Sequence, residues 1–178
     1  PVKIVFGKNS ISTLAKQLPY CKKIMMTYGG GSIKKNGVYN QVKKALKGLT
    51  VVEFAGIEPN PTYETCMKAV KLAKKEKIDF ILAVGGGSVL DGTKFIAAAI
   101  NFKGKEPWDI IVKGAEVNSA IPLASVITLP ATGSEMNRNA VISRKSTKEK
   151  FAFSSICVFP LFSIIDPEVT YSLPKQQL

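Results

Sequence analysis

The stretch DFILAVGGGSVLDGTKFIAAAI, residues 79–100, joins an apolar run to three consecutive glycines and then to a segment of mixed polar and apolar residues. A continuous apolar run of this length is typical of a strand that is buried on both faces of a parallel sheet. The segment SVLDGTKFIAAAI after it predicts a helix. Glycines let a chain turn sharply and leave its amides uncovered, so Gly85, Gly86 and Gly87 predict a place where a ligand approaches the backbone.

The same alternation of strand and helix extends over the rest of the first hundred residues. The segments KIVFG, KKIMMTY and TVVEFA predict strands, and a helix is predicted after each of them. Asn9 is the expected N-cap of the first helix, the second carries an apolar stripe from Val38 to Leu49, and the third begins at about Thr62. This order predicts an α/β fold: a Rossmann-like open, mostly parallel sheet with flanking helices.

The order of elements is looser after residue 101. The segment EPWDII predicts a short helix or loop, and LASVITLPATG and FSIIDP predict two more strands. Between them, AVISR and EKFAFSSICVFP suggest an antiparallel excursion from the sheet. The polar residues after the last LP resemble the start of another helix, at residues 173–178.

Composition restricts the classes of function. The chain of 178 residues has a formal net charge of +12, which would suit an anionic partner and keeps a basic polyanion-binding module open as an alternative. Its only arginines are Arg138 and Arg144, and readers of nucleic-acid bases rely on arginine and stacking aromatics, so the lysines indicate solvated helix faces and we expect no nucleic-acid partner. Without histidine, these residues cannot supply imidazole for general-base or metal chemistry.

The location of the protein is also suggested by its composition. The sequence has no apolar run of membrane-spanning length and no secretory signal at its N-terminus, so we expect no membrane partner and a cytoplasmic location. Cys21, Cys66 and Cys157 are odd in number and far apart, which indicates reduced thiols rather than disulfides or a thiolate metal site.

The glycine turn at Gly86, Gly87 and Ser88 is the first candidate binding site. Ligands of open parallel sheets bind beyond the carboxyl ends of the strands, and the free amides at a helix N-terminus attract a pyrophosphate. An alternative is that Ser88 and Asp91, three residues apart, form a capping box that only stabilises the helix.

A second glycine turn, YGGGSIKKNG at residues 28–37, follows an earlier strand and lacks an acidic residue to hold a ribose diol. Ser32, Lys34 and Lys35 would instead suit an additional phosphate, which favours NADP over NAD. A third polar cluster, at Thr128, Thr132, Ser134 and Asn137, could bond to ribose or phosphate oxygens, or could equally cap the next helix.

Six segments taken together carry a resemblance to a known family: FGKNSI, TYGGGSIKKNGV, GIEPNPTYET, AVGGGSVLDGTKFIAAA, TLPATGSEMN and DPEVTYSLP. In this order they resemble the iron-containing alcohol dehydrogenase family, and most of all its NADPH-dependent butanol dehydrogenase and aldehyde reductase branch. The resemblance covers the whole chain and about the first half of a family member. Dehydroquinate synthases and glycerol dehydrogenases are similar in outline, but the GIEPNP and GGGSIKKNG segments favour the alcohol dehydrogenase branch.

The resemblance implies a set of cofactor-binding residues for NADP(H). Gly30 and Ser32 would face the adenosine 2′-phosphate, and Asn60 and Pro61 would flank the adenosine. The remaining implied residues serve the pyrophosphate, the nicotinamide side and the second ribose: Gly86, Gly87, Ser88, Asp91, Thr128, Thr132, Asn137, Lys150 and, as a variable position of the family, Val169.

The resemblance further implies that residues 1–178 are the dinucleotide-binding domain of a longer enzyme. A helical C-terminal domain outside this sequence would bind a divalent metal, iron or zinc, through one Asp and three His. The whole enzyme would transfer hydride between the nicotinamide and a primary alcohol or aldehyde, as a homodimer. This sequence would then contain neither catalytic nor metal-binding residues and would be inactive on its own.

Overall fold

The computed structural model describes residues 1–172, which contain eight strands; the helix expected at residues 173–178 lies outside the described residues. The strands are β1 (Lys3–Phe6), β2 (Ile24–Tyr28), β3 (Val51–Phe54), β4 (Phe80–Gly86), β5 (Leu123–Leu129), β6 (Asn139–Arg144), β7 (Glu149–Ser154) and β8 (Phe162–Ile165). Six of them form one sheet in the order β1–β8–β5–β4–β2–β3, and every neighbouring pair in it is parallel. The remaining two, β6 and β7, pair with each other as an antiparallel hairpin.

Six α-helices connect the strands in the described part of the chain: α1 (Leu14–Gln17), α2 (Ser32–Lys35), α3 (Val38–Ala45), α4 (Tyr63–Glu76), α5 (Gly87–Asn101) and α6 (Asp109–Val112). Short 3-10 turns lie at Ser10–Thr13, Ser134–Met136, Ile156–Val158 and Pro167–Ser172. None of the helices within residues 1–172 is both long enough and apolar enough to span a lipid bilayer.

The sheet is covered on both faces, which explains why β4 is apolar at almost every position. Phe80 and Leu82 of β4 pack with the α3 residues Val38 and Val42 on one face. Side chains alternate along a strand, so Ile81 packs on the other face, in the cluster that contains residues of α4 and α5. The predicted open parallel sheet with flanking helices is therefore confirmed, as is the antiparallel excursion.

The prediction for Asn9 is confirmed in position only, and the prediction for Leu49 was wrong. Asn9 is the N-cap residue of the 3-10 turn at Ser10–Thr13 but makes no side-chain capping bond. It lies in the left-handed region, with a φ of 60°, and its backbone carbonyl oxygen accepts a hydrogen bond from the Ser12 hydroxyl at 2.8 Å. Leu49 is not part of the buried stripe, because α3 ends at Ala45 and Leu49 is exposed. The start of α4 is as expected, since the Thr62 hydroxyl accepts a hydrogen bond from the Thr65 amide.

Polar contacts hold the hairpin against the helices. The backbone amides of Lys145 and Ser146, in its turn, donate to the carboxylate of Glu64 on α4 at 3.2 and 3.1 Å. The Arg144 guanidinium lies over the rings of Tyr63 and Trp108, 4.9 and 5.4 Å from their centroids. These contacts fix the position of β7, which carries Lys150.

Replacing Arg144 with methionine tests this attachment. Arg144 also forms a salt bridge with Glu106 at 2.8 Å, and its stacked guanidinium is largely shielded from water. We expect Arg144→Met to lower the free energy of unfolding by about 1–2 kcal/mol, the range for a partly desolvated cation–π contact with an ion pair. The exposed Arg138 is the matched control, and Arg138→Met should change the free energy by less than about 0.5 kcal/mol in urea unfolding. Equal effects of the two substitutions would contradict the assignment.

Candidate functional site

Both glycine turns lie at the same place in the sheet. Strands β2 and β4 are neighbours, with Tyr28 paired to Val84, and each strand runs directly into its glycines. The chain leaves β2 towards α3 on one face of the sheet and leaves β4 towards α5 on the other. This divergence is the topological switch point of an open α/β sheet, where a crevice forms beyond the carboxyl ends of the strands.

The three glycines at the junction of β4 and α5 have different roles. A Cβ atom on Gly85 would lie 2.8 Å from Cγ2 of Val89, and one on Gly87 would lie 2.5 Å from the Thr132 hydroxyl oxygen. Both distances are shorter than real Cβ contacts, so a Cβ atom at either position would force the Val89 or Thr132 side chain to move. A Cβ on Gly86 would make only an ordinary 3.6 Å contact with Leu129. Gly86 is thus the glycine whose identity the protein's own packing leaves unexplained.

The N-terminus of α5 is open towards the crevice. Gly86 is the N-cap residue, and within residues 1–172 no side chain forms a capping hydrogen bond there. The capping box considered for Ser88 and Asp91 is therefore wrong: the Ser88 hydroxyl accepts from the Asn60 amide at 3.4 Å, and Asp91 bonds elsewhere. Uncapped first-turn amides, together with the helix dipole, form a site for an anion.

The loop after β3 brings Asn60 and Pro61 against this helix. Asn60 has a φ of 56°, in the left-handed region that asparagine tolerates better than most residues. Its side-chain oxygen accepts a hydrogen bond from the Lys150 ammonium at 2.7 Å. Pro61 packs against Gly92, where a Cβ atom would approach the proline Cβ to 3.1 Å. Asn60, Ser88 and Lys150 thus meet, although 90 residues separate the first from the last.

The loop at residues 131–139, which follows β5 and includes the first residue of β6, forms another side of the crevice. Thr132 lies against Gly87, and the Asn137 side-chain oxygen accepts from the Lys94 ammonium at 3.0 Å and from the Asn139 amide at 2.9 Å. Asn137 therefore has only its amide nitrogen left to offer, as a donor. Thr128 is buried near the end of β5.

Asp91 anchors this loop and the hairpin to α5. One carboxylate oxygen accepts from the Ser134 hydroxyl at 2.6 Å, and the other accepts from the Val141 amide at 3.0 Å. Each oxygen has a further lone pair, so a ligand hydroxyl or amide could also donate to Asp91. Its predicted place on the nicotinamide side stays a prediction.

Sequence reasoning missed Lys94, which is fully buried. Its ammonium group contacts four oxygen atoms of the loop at 3.0 Å or less. Burial lowers the pKa of Lys94 to about 8, although Asp91 and Glu135 oppose the shift. The signal in the sequence is a single lysine in the otherwise apolar stretch of α5, which helical periodicity alone would have placed at the protein interior.

The turn after β2 is open at Gly30 and Ser32. Among the described residues, no atom lies within 4 Å of a Cβ atom placed on Gly30, and Ser32 is exposed at the first position of α2. Gly31 between them has a φ of 113°, which favours glycine. The Lys34 ammonium lies over the rings of Tyr28 and Tyr39, at 5.5 and 5.1 Å from their centroids.

A second residue that sequence reasoning missed is Glu53, next to the last residue of β3. In dinucleotide-binding folds an acidic residue about 20 positions after the glycines holds the ribose diol, and Glu53 has that spacing. Here its carboxylate accepts from the Tyr28 and Tyr39 hydroxyls at 2.9 and 2.8 Å and from Lys43 at 2.9 Å. Burial disfavours its charge, but these three donors outweigh burial and hold the pKa of Glu53 below its ordinary value. The donors satisfy both of its oxygens.

The remaining predicted residue, Val169, is buried in the 3-10 turn after β8, also beyond the carboxyl edge of the sheet. The structure thus places the predicted residues along this edge, on the first turns of α5, and on the hairpin. A metal site is not found in the same region: residues 1–172 contain no group of three or more His, Cys, Asp or Glu arranged to hold a metal ion.

Two glycine-to-alanine substitutions test which glycine of the turn is crowded by the protein and which one has room for a methyl group. Gly87→Ala would push a methyl group into the Thr132 hydroxyl, and we expect the free energy of unfolding to fall by about 1–3 kcal/mol, as for other overpacked sites. Gly86 has φ −86° and ψ −173°, which alanine adopts readily, so Gly86→Ala should stay within about 0.5 kcal/mol of the parent chain. Urea unfolding of both variants measures the difference, and a destabilised Gly86→Ala variant would contradict it.

The comparisons with known proteins agree with this geometry. Residues 1–167 match the family described as iron-containing alcohol dehydrogenase. The NADPH-dependent aldehyde reductase YqhD of Escherichia coli (strain K12) is 57% identical over 180 residues, covering 100% of this chain and 46% of that protein. A probable NADH-dependent butanol dehydrogenase 1 of Bacillus subtilis (strain 168) is 49% identical over 178 residues, covering 98% of this chain and 46% of that protein.

Among solved structures, the crystal structure of E. coli YqhD superposes with a TM-score of 0.96 at 57% identity, covering 99% of this chain and 46% of that one. The chain therefore spans about half the length of the curated relatives that it matches. With the family match, the identity to these relatives and the shared fold, this chain belongs to the iron-containing alcohol dehydrogenase family.

Proposed function

We propose that residues 1–178 are the NADP(H)-binding domain of a metal-dependent oxidoreductase that transfers hydride between nicotinamide and a primary alcohol or aldehyde. The observation that carries this proposal is the pair of glycine turns at the switch point, one of which opens the uncapped N-terminus of α5. The name of the relative at 57% identity, an NADPH-dependent aldehyde reductase, supports the same activity.

The pyrophosphate is proposed to bind at the first turn of α5. The amides of Gly87 and Ser88 would donate to its oxygens, and Gly86 would let it approach the backbone closely. Thr132 would donate its hydroxyl from the opposite side. Because the Asn137 side-chain oxygen is already bonded, Asn137 would donate through its nitrogen to a phosphate or ribose oxygen.

The remaining residues are proposed to surround the two nucleosides. Asn60 and Pro61 would flank the adenosine, and Lys150 would exchange its bond to Asn60 for a ribose or phosphate oxygen. Asp91 would accept from a hydroxyl or from the carboxamide on the nicotinamide side. Thr128, near the end of β5, and Val169, in the 3-10 turn after the neighbouring strand β8, are proposed to complete the pocket.

The turn after β2 supports a proposed preference for NADP(H) over NAD(H). The exposed Ser32 hydroxyl can donate to a 2′-phosphate, and Gly30 leaves room for it. Glu53, which could have held a 2′-hydroxyl, already accepts three hydrogen bonds and is tied to Lys43. Relatives of both kinds exist by name, NADPH-dependent and NADH-dependent, so this preference needs its own test.

The divalent metal, iron or zinc, does not fit the residues described here, and we propose that the remainder of the enzyme, in a helical domain, holds it. Nicotinamide supplies the hydride when bound, and the residues of this chain bind and orient the dinucleotide without reacting themselves. We further propose a cytoplasmic enzyme that is a homodimer in its complete form.

The first test is calorimetric titration of the chain and of its Gly86→Ala variant with NADPH. If pyrophosphate approaches the backbone at Gly86, the added methyl group should weaken binding at least about 10-fold, which corresponds to about 1.4 kcal/mol. Stability should not change, because the methyl group contacts only Leu129. Equal affinities would mean that the glycines only make the turn. Retention on heparin together with no response to NADPH would favour the polyanion-binding alternative.

The second test compares NADPH with NADH for the Ser32→Ala variant. Loss of one hydrogen bond to the charged 2′-phosphate should weaken NADPH binding by about 1–2 kcal/mol, or about 5- to 30-fold. Binding of NADH, which lacks this phosphate, should be unchanged. Ser119→Ala is the matched control, an exposed serine that precedes β5 at the opposite edge of the sheet. A parallel loss of both affinities would contradict the assignment of Ser32.

A further inference from the structure

Lys94 is a buried cation whose bonds all go to one loop. The side chain leaves the middle of α5, and its nitrogen contacts the backbone oxygens of Ser134 and Asn139 at 2.7 and 2.9 Å. It also contacts the Ser134 hydroxyl and the Asn137 side-chain oxygen, both at 3.0 Å. An ammonium group has three protons, so four oxygens satisfy it completely.

Stability alone does not account for a charge at this position. Removing an ammonium group from water costs several kcal/mol, and a buried ion pair can often be replaced as a whole by apolar residues of similar volume without loss of stability. The ammonium group instead fixes geometry, because it bonds three residues of one irregular loop to a rigid helix. The loop, residues 131–139, is the one that carries Thr132 and Asn137.

We propose that Lys94 is a positioning residue for the dinucleotide, whose ammonium group fixes the loop at residues 131–139 and so places Thr132 and Asn137 at the phosphate and ribose. The inference rests on the proposed function and adds to it a residue that does not touch the cofactor. Lys94 acts through Asn137, whose oxygen it occupies, and through Ser134, which it shares with Asp91.

The loop is held from a second direction as well, which makes it a prearranged part of the site. The Ser163 hydroxyl on β8 donates to the backbone oxygen of Glu135 at 2.9 Å, and the Ser134 hydroxyl donates to Asp91 at 2.6 Å. Preorganised donors bind a ligand more tightly, because the chain loses less conformational freedom on binding. Removing the central anchor should therefore reduce cofactor affinity more than it reduces stability.

The charge of Lys94 gives a second, independent signature. The charged groups that face it are Asp91, on the preceding turn of α5, and Glu135, in the loop. Its pKa lies at about 8 against an ordinary value of 10.5, so its contribution to stability rises with pH between these values. Phosphate groups bound nearby would favour the protonated form, so NADPH binding should weaken as the pH rises through about 8. Affinity and stability thus respond to the same titration with opposite signs.

The test compares the Lys94→Met, Lys71→Met and parent chains. Lys71 is exposed on α4, so the control removes the same charge from the surface. We expect Lys94→Met to weaken NADPH binding at least about 10-fold and to abolish the fall in affinity above pH 8, with both unchanged in Lys71→Met. Amide hydrogen exchange should show loss of protection within residues 131–139 while β4 and β5 stay protected.

A second variant covers the case in which Lys94→Met does not fold. Ser134→Ala removes one of the four oxygens and the link to Asp91, and it should weaken NADPH binding about 3-fold with the same local increase in exchange. Unchanged affinity and an unchanged loop in both variants would overturn the proposal, as would a loss of affinity that only follows global unfolding. If the parent chain does not bind NADPH, the proposed function fails, and exchange within residues 131–139 alone still decides whether Lys94 fixes the loop.

Discussion

A parallel sheet brings the carboxyl ends of all its strands to one edge, and this constraint determines where everything else in the molecule lies. Turns that are far apart in sequence, at residues 29–31, 55–61, 85–87 and 130–138, become neighbours for this reason. The constraint is strictest between β2 and β4, whose following helices lie on opposite faces of the sheet. Gly29 shows how closely the turns approach each other there, since a Cβ atom on it would lie 3.2 Å from the backbone oxygen of Ile57.

The alternation of strands and helices could be predicted because it depends on local periodicity. Apolar runs and amphipathic stripes are set by residues within one element, and the strand ends were correct to within a few residues. The missing capping bond at Asn9 and the wrong assignment of Leu49 concern ends of short helices, where no more than one turn of sequence carries the signal. Sheet order itself was not predicted, because it depends on which apolar surfaces meet, and no local pattern encodes that.

The residues that face the crevice could be predicted from the sequence, whereas the roles of the residues that hold them in place could not. Gly86 and Ser88 could be found from their position after a strand. Glu53 and Lys94 each leave a signal in the sequence, one by its spacing after the glycines and the other by helical periodicity. Their roles could not be predicted, because these roles depend on hydrogen bonds to residues 10–45 positions away. Gly87 shows the same limit: its close contact is with Thr132, 45 residues later, and the sequence of the turn by itself attributes all three glycines to the ligand.

The polar groups behind the site suggest how a strongly basic chain can distinguish among anions. Nineteen lysines within the described residues are exposed, and they would attract any phosphate over the Debye length, about 8–10 Å, without selecting one. Selecting one anion requires donors that are fixed at short range. The charged side chains of Lys94 and Glu53 are fixed by bonds within the protein, Lys94 to a loop and Glu53 to two tyrosines and Lys43. The donors proposed at the crevice are mostly neutral, the backbone amides and the hydroxyls, and Lys150 is a charged donor beside them. Neutral donors recognise phosphate by geometry, so the contacts proposed at Ser32 and Thr132 would be single hydroxyl groups.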